Sequence, residues 1–327
     1  MEASQGTDAS MEENRTASKG DTTTAQAVGC PSDTGMAGRA EVCQGCPGRE
    51  LCSRLVGSAD PDQPAIDIRM NACRRKIMVV SGKGGVGKSS VAVNLAISLA
   101  AKGLKVGLCD LDICGPSIPT MLKVQDQSVV NTQYGWTPLK SPHGGIKVMS
   151  IGLLLDNSSS AVVWRGPRKS EIIKRFLKDT FWGRLDYLLF DTPPGTSDEH
   201  LTVVSALKSV HLDGAIVVGT PQRMALDTVR KEVTFCRKMG VRVLGLVENL
   251  SGFACPCCEE VTALFGSGGV HRLAEETAIP MLATIPIDTR LSSCEEDGSS
   301  IQQEHPTCGA AVAFDSLRKC VQDIVET

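Results

Sequence analysis

The stretch GKGGVGKSS, residues 82–90, sets glycines at 82, 84, 85 and 87 ahead of Lys88, Ser89 and Ser90. It satisfies G-x-x-x-x-G-K-[ST], in which glycines let successive backbone N–H groups turn inward around phosphate oxygens. Gly82, Lys83, Gly84, Gly85, Val86, Gly87, Lys88, Ser89 and Ser90 are therefore the expected binding residues for a nucleoside triphosphate. Lys88 is expected to neutralise the β- and γ-phosphates, and the Ser89 hydroxyl to bind Mg²⁺. Asp191 closes the apolar run YLLFD and is the natural carboxylate for Mg²⁺, directly or through water. In CDLDICGPS, Asp110 is expected at Mg²⁺ and Asp112 at the attacking water. Phosphoryl transfer is mostly positioning and charge stabilisation, so no histidine base is required. Asn249, after VLGLVE, is expected to read the adenine edge of ATP.

The other chemistry lies in sulfur. Among 14 cysteines, Cys30, Cys43, Cys46 and Cys52 follow the spacing C-x12-C-x2-C-x5-C. Four thiolates in one short segment satisfy a [4Fe–4S] cluster or a tetrahedral zinc. Zinc ribbons use two C-x2-C pairs and only one occurs here, so the uneven spacing suits an irregular cluster-binding loop better. The pairs Cys30-Pro31 and Cys46-Pro47 also resemble those of ferredoxin-type runs. Further on, GFACPCCEE (252–260) holds Cys255 and Cys258 as C-x2-C, with Cys257 as an extra thiol. Two thiolates alone are too few to close a metal site. The isolated Cys109, Cys236 and Cys320 read as small core residues.

These groups need a scaffold, and 327 residues with 42% hydrophobic and 22% charged content are enough to bury an α/β-sized core. The net charge of −3 encodes no general attraction to nucleic acid or acidic lipid, and no apolar run is long enough to span a membrane. Residues 1–29 carry five acids against two bases and lack an apolar stretch, which argues against a signal or transit peptide. A cytoplasmic location follows, where thiols stay reduced and clustered cysteines point to metal or redox chemistry. Three regions are expected: a disordered acidic extension over 1–29, a four-cysteine cluster-binding segment and linker over 30–75, and an ATPase domain over 76–327. In that domain, a strand, the glycine loop and a helix are followed by the apolar runs KVGLCDLD, GIKVMSIG, LDYLLFD, GAIVVG, VRVLGLVE and PMLATIP. Helix-length segments at 168–181, 197–209 and 223–239 lie between them. The alternation predicts an α/β fold, a mostly parallel sheet with helices on both faces, its sites at the ends of the strands.

In KGGVGK, Lys83 stands where the deviant Walker A motif has a lysine that reaches the nucleotide of a facing subunit. GKGGVGKSS, DLDICGPSIP, DTPPGTSDEH, GTPQ and ENLSGFACPCC together resemble the Mrp family of deviant P-loop ATPases over most of residues 76–290. The segment CQGCPGRELC narrows the resemblance to the larger of that family's cytosolic iron–sulfur assembly scaffolds, the smaller sibling lacking it. The resemblance implies an ATP-binding scaffold that builds a [4Fe–4S] cluster and hands it to cytosolic and nuclear apoproteins, with ATP hydrolysis gating loading or release. One cluster per chain would be held by Cys30, Cys43, Cys46 and Cys52. A second would bridge two subunits through Cys255 and Cys258, since a two-fold axis turns two thiolates into four. It further implies a homodimer, a hetero-oligomer with the smaller sibling, or both, together with downstream targeting factors; from the charge balance, neither nucleic acid nor membrane is expected as partner. Lys83 would join Lys88 and Asp112 as a catalytic residue. The alternative is a partitioning or cell-division ATPase, which leaves the cysteines unexplained. A nitrogenase-like reductase would want a cysteine near DTPPGTSDEH, and a metal-chaperone GTPase an N-K-x-D; neither is present.

Overall fold

Apolar runs too short for helices and rich in Val, Ile and Leu become strands buried on both faces, and the glycine-bearing turns after them become the edge that carries the chemistry. The architecture is seen in a computed structural model that describes residues 39–41, 44, 60–112, 115, 117–154, 166–196, 198–255, 257, 258 and 260–327. The chain divides into two compact units, Met1–Asp60 and Pro61–Thr327. Of the first, the described part is a short turn in which the Gln44 N–H donates to the Glu41 carbonyl at 3.0 Å. Cys30, Cys43, Cys46 and Cys52 lie outside the described residues.

The second unit opens with helix α1 (Gln63–Asn71) and strand β1 (Cys73–Val80). Then follow α2 (Lys88–Ala100), β2 (Val106–Asp110), the short α3 (Ile118–Met121) and four short strands, β3 (Val130–Thr132) and β4 (Gly135–Thr137), which pair as a separate hairpin, then β5 (Leu139–Lys140) and β6 (Lys147–Ser150). Next come α4 (Gly166–Asp179), β7 (Leu185–Asp191), α5 (Asp198–Ala206), β8 (Gly214–Gly219), α6 (Arg223–Lys238) and β9 (Val243–Glu248). The last part holds β10 (Phe253–Ala254), β11 (Val261–Thr262), α7 (Gly269–Thr277), β12 (Met281–Thr284), α8 (Thr289–Asp297), α9 (Ile301–Glu304) and α10 (Gly309–Glu326).

Eight strands form one sheet in the order β12–β9–β8–β1–β7–β2–β6–β5. Every pairing is parallel except β5 with β6 at the edge. Alternate residues of β1 enter opposite cores, as strand pleating requires. Ile77 and Val79 join Leu95, Leu99 and Phe314 on one face, whereas Met78 and Val80 join Phe176, Val203 and Val229 on the other. The mostly parallel sheet covered on both faces is thus observed. Cys109 and Cys236 are buried in the second core, and Cys320 packs half-buried against the first.

The structure departs from expectation at the start of this unit. Residues 61–75, within the expected linker, contain α1 and the first three residues of β1. Only Ile66 and Met70 of α1 are buried, so composition carries little of the helical pattern. The helix is held by packing and by the buried Lys76, whose Nζ donates to the Cys73 carbonyl at 2.8 Å and to the Met70 carbonyl at 3.4 Å. No helix among the described residues is long and apolar enough to cross a membrane.

Candidate functional site

β1 ends at Val80 and α2 begins at Lys88, so the glycine loop spans the gap between a central strand and the positive end of a helix. Gly85 and Gly87 both hold φ of 77°, in the left-handed region that side chains other than glycine's disfavour. At Gly82 the requirement is space: a Cβ there would stand 2.6 Å from the Thr228 carbonyl carbon at the start of α6. The loop borders a cleft of about 360 Å³ lined by Lys83, Lys88, Ser89, Ser90, Asp112 and Glu295, among others. Lys83 is exposed at its edge, while Lys88 is buried beneath it.

Two adjacent central strands deliver the carboxylates: β2 ends at Asp110 and β7 at Asp191, and the two residues pair in register. Lys88 Nζ lies 2.7 Å from Asp191 Oδ1 and 3.9 Å from Asp112 Oδ2, and Ser89 Oγ donates to Asp191 Oδ2 at 2.6 Å. Asp110 accepts from Ser150 Oγ at 2.7 Å and from the Asp112 N–H at 3.1 Å. Burial, and then the neighbouring Asp191 charge, push the Asp110 carboxyl up to about 8. Burial raises Asp191 as well, with Lys88 and Ser89 pulling the other way. Two carboxyls facing one ammonium therefore favour a single shared negative charge, and a divalent cation would supply the charge needed to ionise both.

The turn after β7 is fixed beneath the loop. The Gly195 N–H donates to the Ser81 carbonyl at 2.7 Å, and Thr192 Oγ1 donates to the Val79 carbonyl at 3.0 Å. His200 Nε2 lies 2.9 Å from Thr192 Oγ1, and burial lowers this imidazole to about 4, so it is neutral. On the other side of the loop, Asn249 is buried and spends an amide N–H on the Val86 carbonyl at 2.9 Å, with Oδ1 its remaining acceptor. Glu295 was not foreseen. It reaches from α8 to accept hydrogen bonds from Ser90 Oγ and, at 2.8 Å, from Asn94 Nδ2. Sequence offers no signal for a contact between residues 205 positions apart.

The cysteine pair stands on a small hairpin in which β10 and β11 pair antiparallel, Phe253 with Thr262 and Ala254 with Val261. Its base is tied down: the Ser251 N–H donates to the Ile285 carbonyl at 2.9 Å, and the Ile287 N–H to the Gly252 carbonyl at 2.6 Å. Buried Glu248 fastens the same corner, accepting from Ser251 Oγ at 2.6 Å and from the Val270 N–H of α7 at 2.8 Å. Cys255 is half-buried, whereas Cys257 and Cys258 are exposed. Backbone N–H groups of Cys258 and Cys257 point at the Cys255 sulfur and lower its pKa. A turn that stabilises the Cys255 thiolate beside two exposed cysteines fits a soft metal or an iron–sulfur unit.

The family described as ParA: NUBPL iron-transfer P-loop NTPase matches residues 72–322. The chain belongs to this family. An Eremothecium gossypii protein named cytosolic Fe-S cluster assembly factor NBP35 is 46% identical over 303 residues, covering 90% of this chain and 91% of its own length. A Culex quinquefasciatus protein named cytosolic Fe-S cluster assembly factor NUBP2 homolog is 52% identical over 246 residues, 75% of this chain and 96% of its own. Among solved structures, the nucleotide-binding protein of Archaeoglobus fulgidus in complex with ADP is 39% identical, with a TM-score of 0.66, and covers 74% of this chain and 93% of its own. These likenesses support the iron–sulfur expectation over the partitioning alternative.

Proposed function

We propose that the chain is an ATP-binding scaffold on which a [4Fe–4S] cluster is assembled and from which it passes to cytosolic and nuclear apoproteins. The observation that carries this is the stabilised Cys255 thiolate beside the exposed Cys257 and Cys258, built on the same compact unit as the glycine loop. Membership of a P-loop NTPase family supports nucleotide hydrolysis, and a slow ATPase would gate loading or release of the cluster. The names of the relatives support a cytosolic setting.

In this proposal the backbone of residues 82–90 cradles the phosphates of ATP and Lys88 neutralises them, while Asn249 faces the adenine edge. Ser89, Asp110 and Asp191 hold Mg²⁺, which would supply the positive charge that draws the phosphate oxygens to the loop. Asp112 orients the attacking water. Lys83, exposed at the edge of the cleft, reaches the nucleotide of a second chain, and Lys88 moves from Asp191 to the phosphates. Cys255 and Cys258 form half of a cluster site that a second copy or the smaller sibling scaffold completes. Cys30, Cys43, Cys46 and Cys52 hold the other cluster.

The test is transfer of radiolabelled iron from loaded protein to an apo-[4Fe–4S] enzyme, with and without ATP. Full transfer by wild type and none by Cys255→Ala with Cys258→Ala is the expected result. Transfer that survives loss of both cysteines would overturn the proposal.

A further inference from the structure

Toward the end of the chain stands a second group of side chains of metal-ligating type, away from the C-x2-C turn in sequence. Helix α8 stops at Asp297, and Gly298, in the left-handed region at φ 63°, turns the chain back toward α9. The turn is closed by the Ser299 N–H donating to the Cys294 carbonyl at 2.7 Å. At the far end of α9, the His305 N–H donates to the Ile301 carbonyl at 2.9 Å, which holds His305 directly after Glu304. The result is a convergence of three different ligand types. Cys294 Sγ, a Glu304 carboxylate oxygen and a His305 ring nitrogen all lie within 4.8 Å of one another. Cys294 is buried, His305 half-buried and Glu304 exposed, so the group has a protected floor and an open side.

The separations can be compared with those a cation would impose. A tetrahedral ion with sulfur at ~2.3 Å and oxygen or nitrogen at ~2.0 Å sets sulfur about 3.5 Å from the oxygen and nitrogen about 3.3 Å from it. Cys294 Sγ is 3.7 Å from Glu304 Oε2, already at that spacing. The 4.8 Å bound leaves at most about 1.5 Å for His305 and Glu304 to close, within reach of side-chain rotation on the exposed side. A further thiol, Cys308, is committed elsewhere, its sulfur accepting from the Ala311 N–H at 3.4 Å as the cap of α10.

We propose that Cys294, Glu304 and His305 form a binding site for a zinc-class divalent cation, with water in the fourth position. Thiolate, imidazole and carboxylate together suit Zn²⁺ and its tetrahedral stand-in Co²⁺ rather than Mg²⁺ or Ca²⁺. Occupancy clips the end of α8 to the end of α9, two elements separated by a single glycine-led turn.

The test uses the full, untagged chain with Cys30, Cys43, Cys46, Cys52, Cys255, Cys257 and Cys258 replaced by Ser, which removes the other clustered thiolates. Zn²⁺ alone is titrated against a chromophoric chelator, and Co²⁺ alone is followed by its thiolate charge-transfer absorption. One Zn²⁺ per chain is expected, with a Co²⁺ spectrum carrying the contribution of one thiolate. His305→Asn and Glu304→Gln should each weaken binding at least ~10-fold, and Cys294→Ser should abolish the charge-transfer band. Cys294 is buried and its variant has the greater risk of misfolding; the two variants on the open side keep the test decisive, with circular dichroism as the folding control. A background protein that takes up no Zn²⁺, or one whose uptake is unchanged by His305→Asn, would overturn the site.

Discussion

Replacing Lys88 with Met keeps the length of the side chain and removes its charge, which isolates the role of the ammonium. That ammonium lies 2.7 Å from the fully buried Asp191 carboxylate. Coulomb's law at an effective dielectric of 20 gives roughly 6 kcal/mol for such a pair before desolvation is subtracted. Removing one partner of a buried pair typically costs about 3–5 kcal/mol, because the other charge is left without compensation. For a domain of this size that is a fall of about 6–20 °C in melting temperature. The deficit should depend on pH with a definite sign. Asp110 and Asp191 are both raised above their ordinary values, so their protonated forms are favoured in the fold and the stability they contribute is lost as pH rises. Without Lys88 this loss is steeper, so the variant falls behind at pH 7.5 and approaches wild type as pH drops toward about 4. Calorimetry in EDTA, repeated with Mg²⁺ and ATP, reads both effects. ATP at a hundredfold its dissociation constant should stabilise wild type by about 2.7 kcal/mol and the variant not at all. An unchanged melting temperature together with a retained ATP shift would refute both the buried pair and the phosphate role of Lys88.

Two further outcomes concern the frame around the site. Glu232 on α6 is fully buried, its two carboxylate oxygens have no hydrogen-bond partner among the described residues, and burial pushes it from 4.5 up to about 7. Its contribution to stability is therefore intact below pH 4.5 and lost as pH rises through 7, so Glu232→Leu should gain about 2–3 kcal/mol on wild type between pH 5 and pH 8 in urea unfolding; a gain that does not vary with pH contradicts the cause. Gly82→Ala must push its methyl group against the Thr228 backbone, which should cost about 1–3 kcal/mol and weaken ATP binding by displacing the loop; normal affinity by calorimetry would show that the loop tolerates the shift.

The glycine loop and the central strands were legible because each depends on local pattern. Glycines at fixed offsets have few other uses, and runs such as YLLF are buried on both faces of a parallel sheet. Asp191 could be read from its place at a strand end, since strand ends of such sheets converge on one edge. By contrast, α1 buries only two residues and was hidden in its composition. The contacts of Glu295 with Ser90 and of Glu248 with Val270 were hidden because they depend on which distant segments the topology brings together. The same holds within a single turn: Cys294, Glu304 and His305 have no motif spacing, and only the reversal at Gly298 makes them neighbours. Asn249 was visible as a polar residue after a strand, but its hydrogen bond to the Val86 carbonyl was not.

The measurement that bears most directly on the scaffold proposal is anaerobic reconstitution with iron and sulfide, followed by iron and sulfide counts per chain and a Mössbauer spectrum. Wild type should give cubane clusters that are lost in two portions. Cys255→Ala with Cys258→Ala should remove the bridging portion, and replacement of Cys30, Cys43, Cys46 and Cys52 should remove the other. Iron that is absent, or that does not fall in either variant, would contradict the account and leave a P-loop NTPase whose clustered cysteines hold no iron–sulfur cluster.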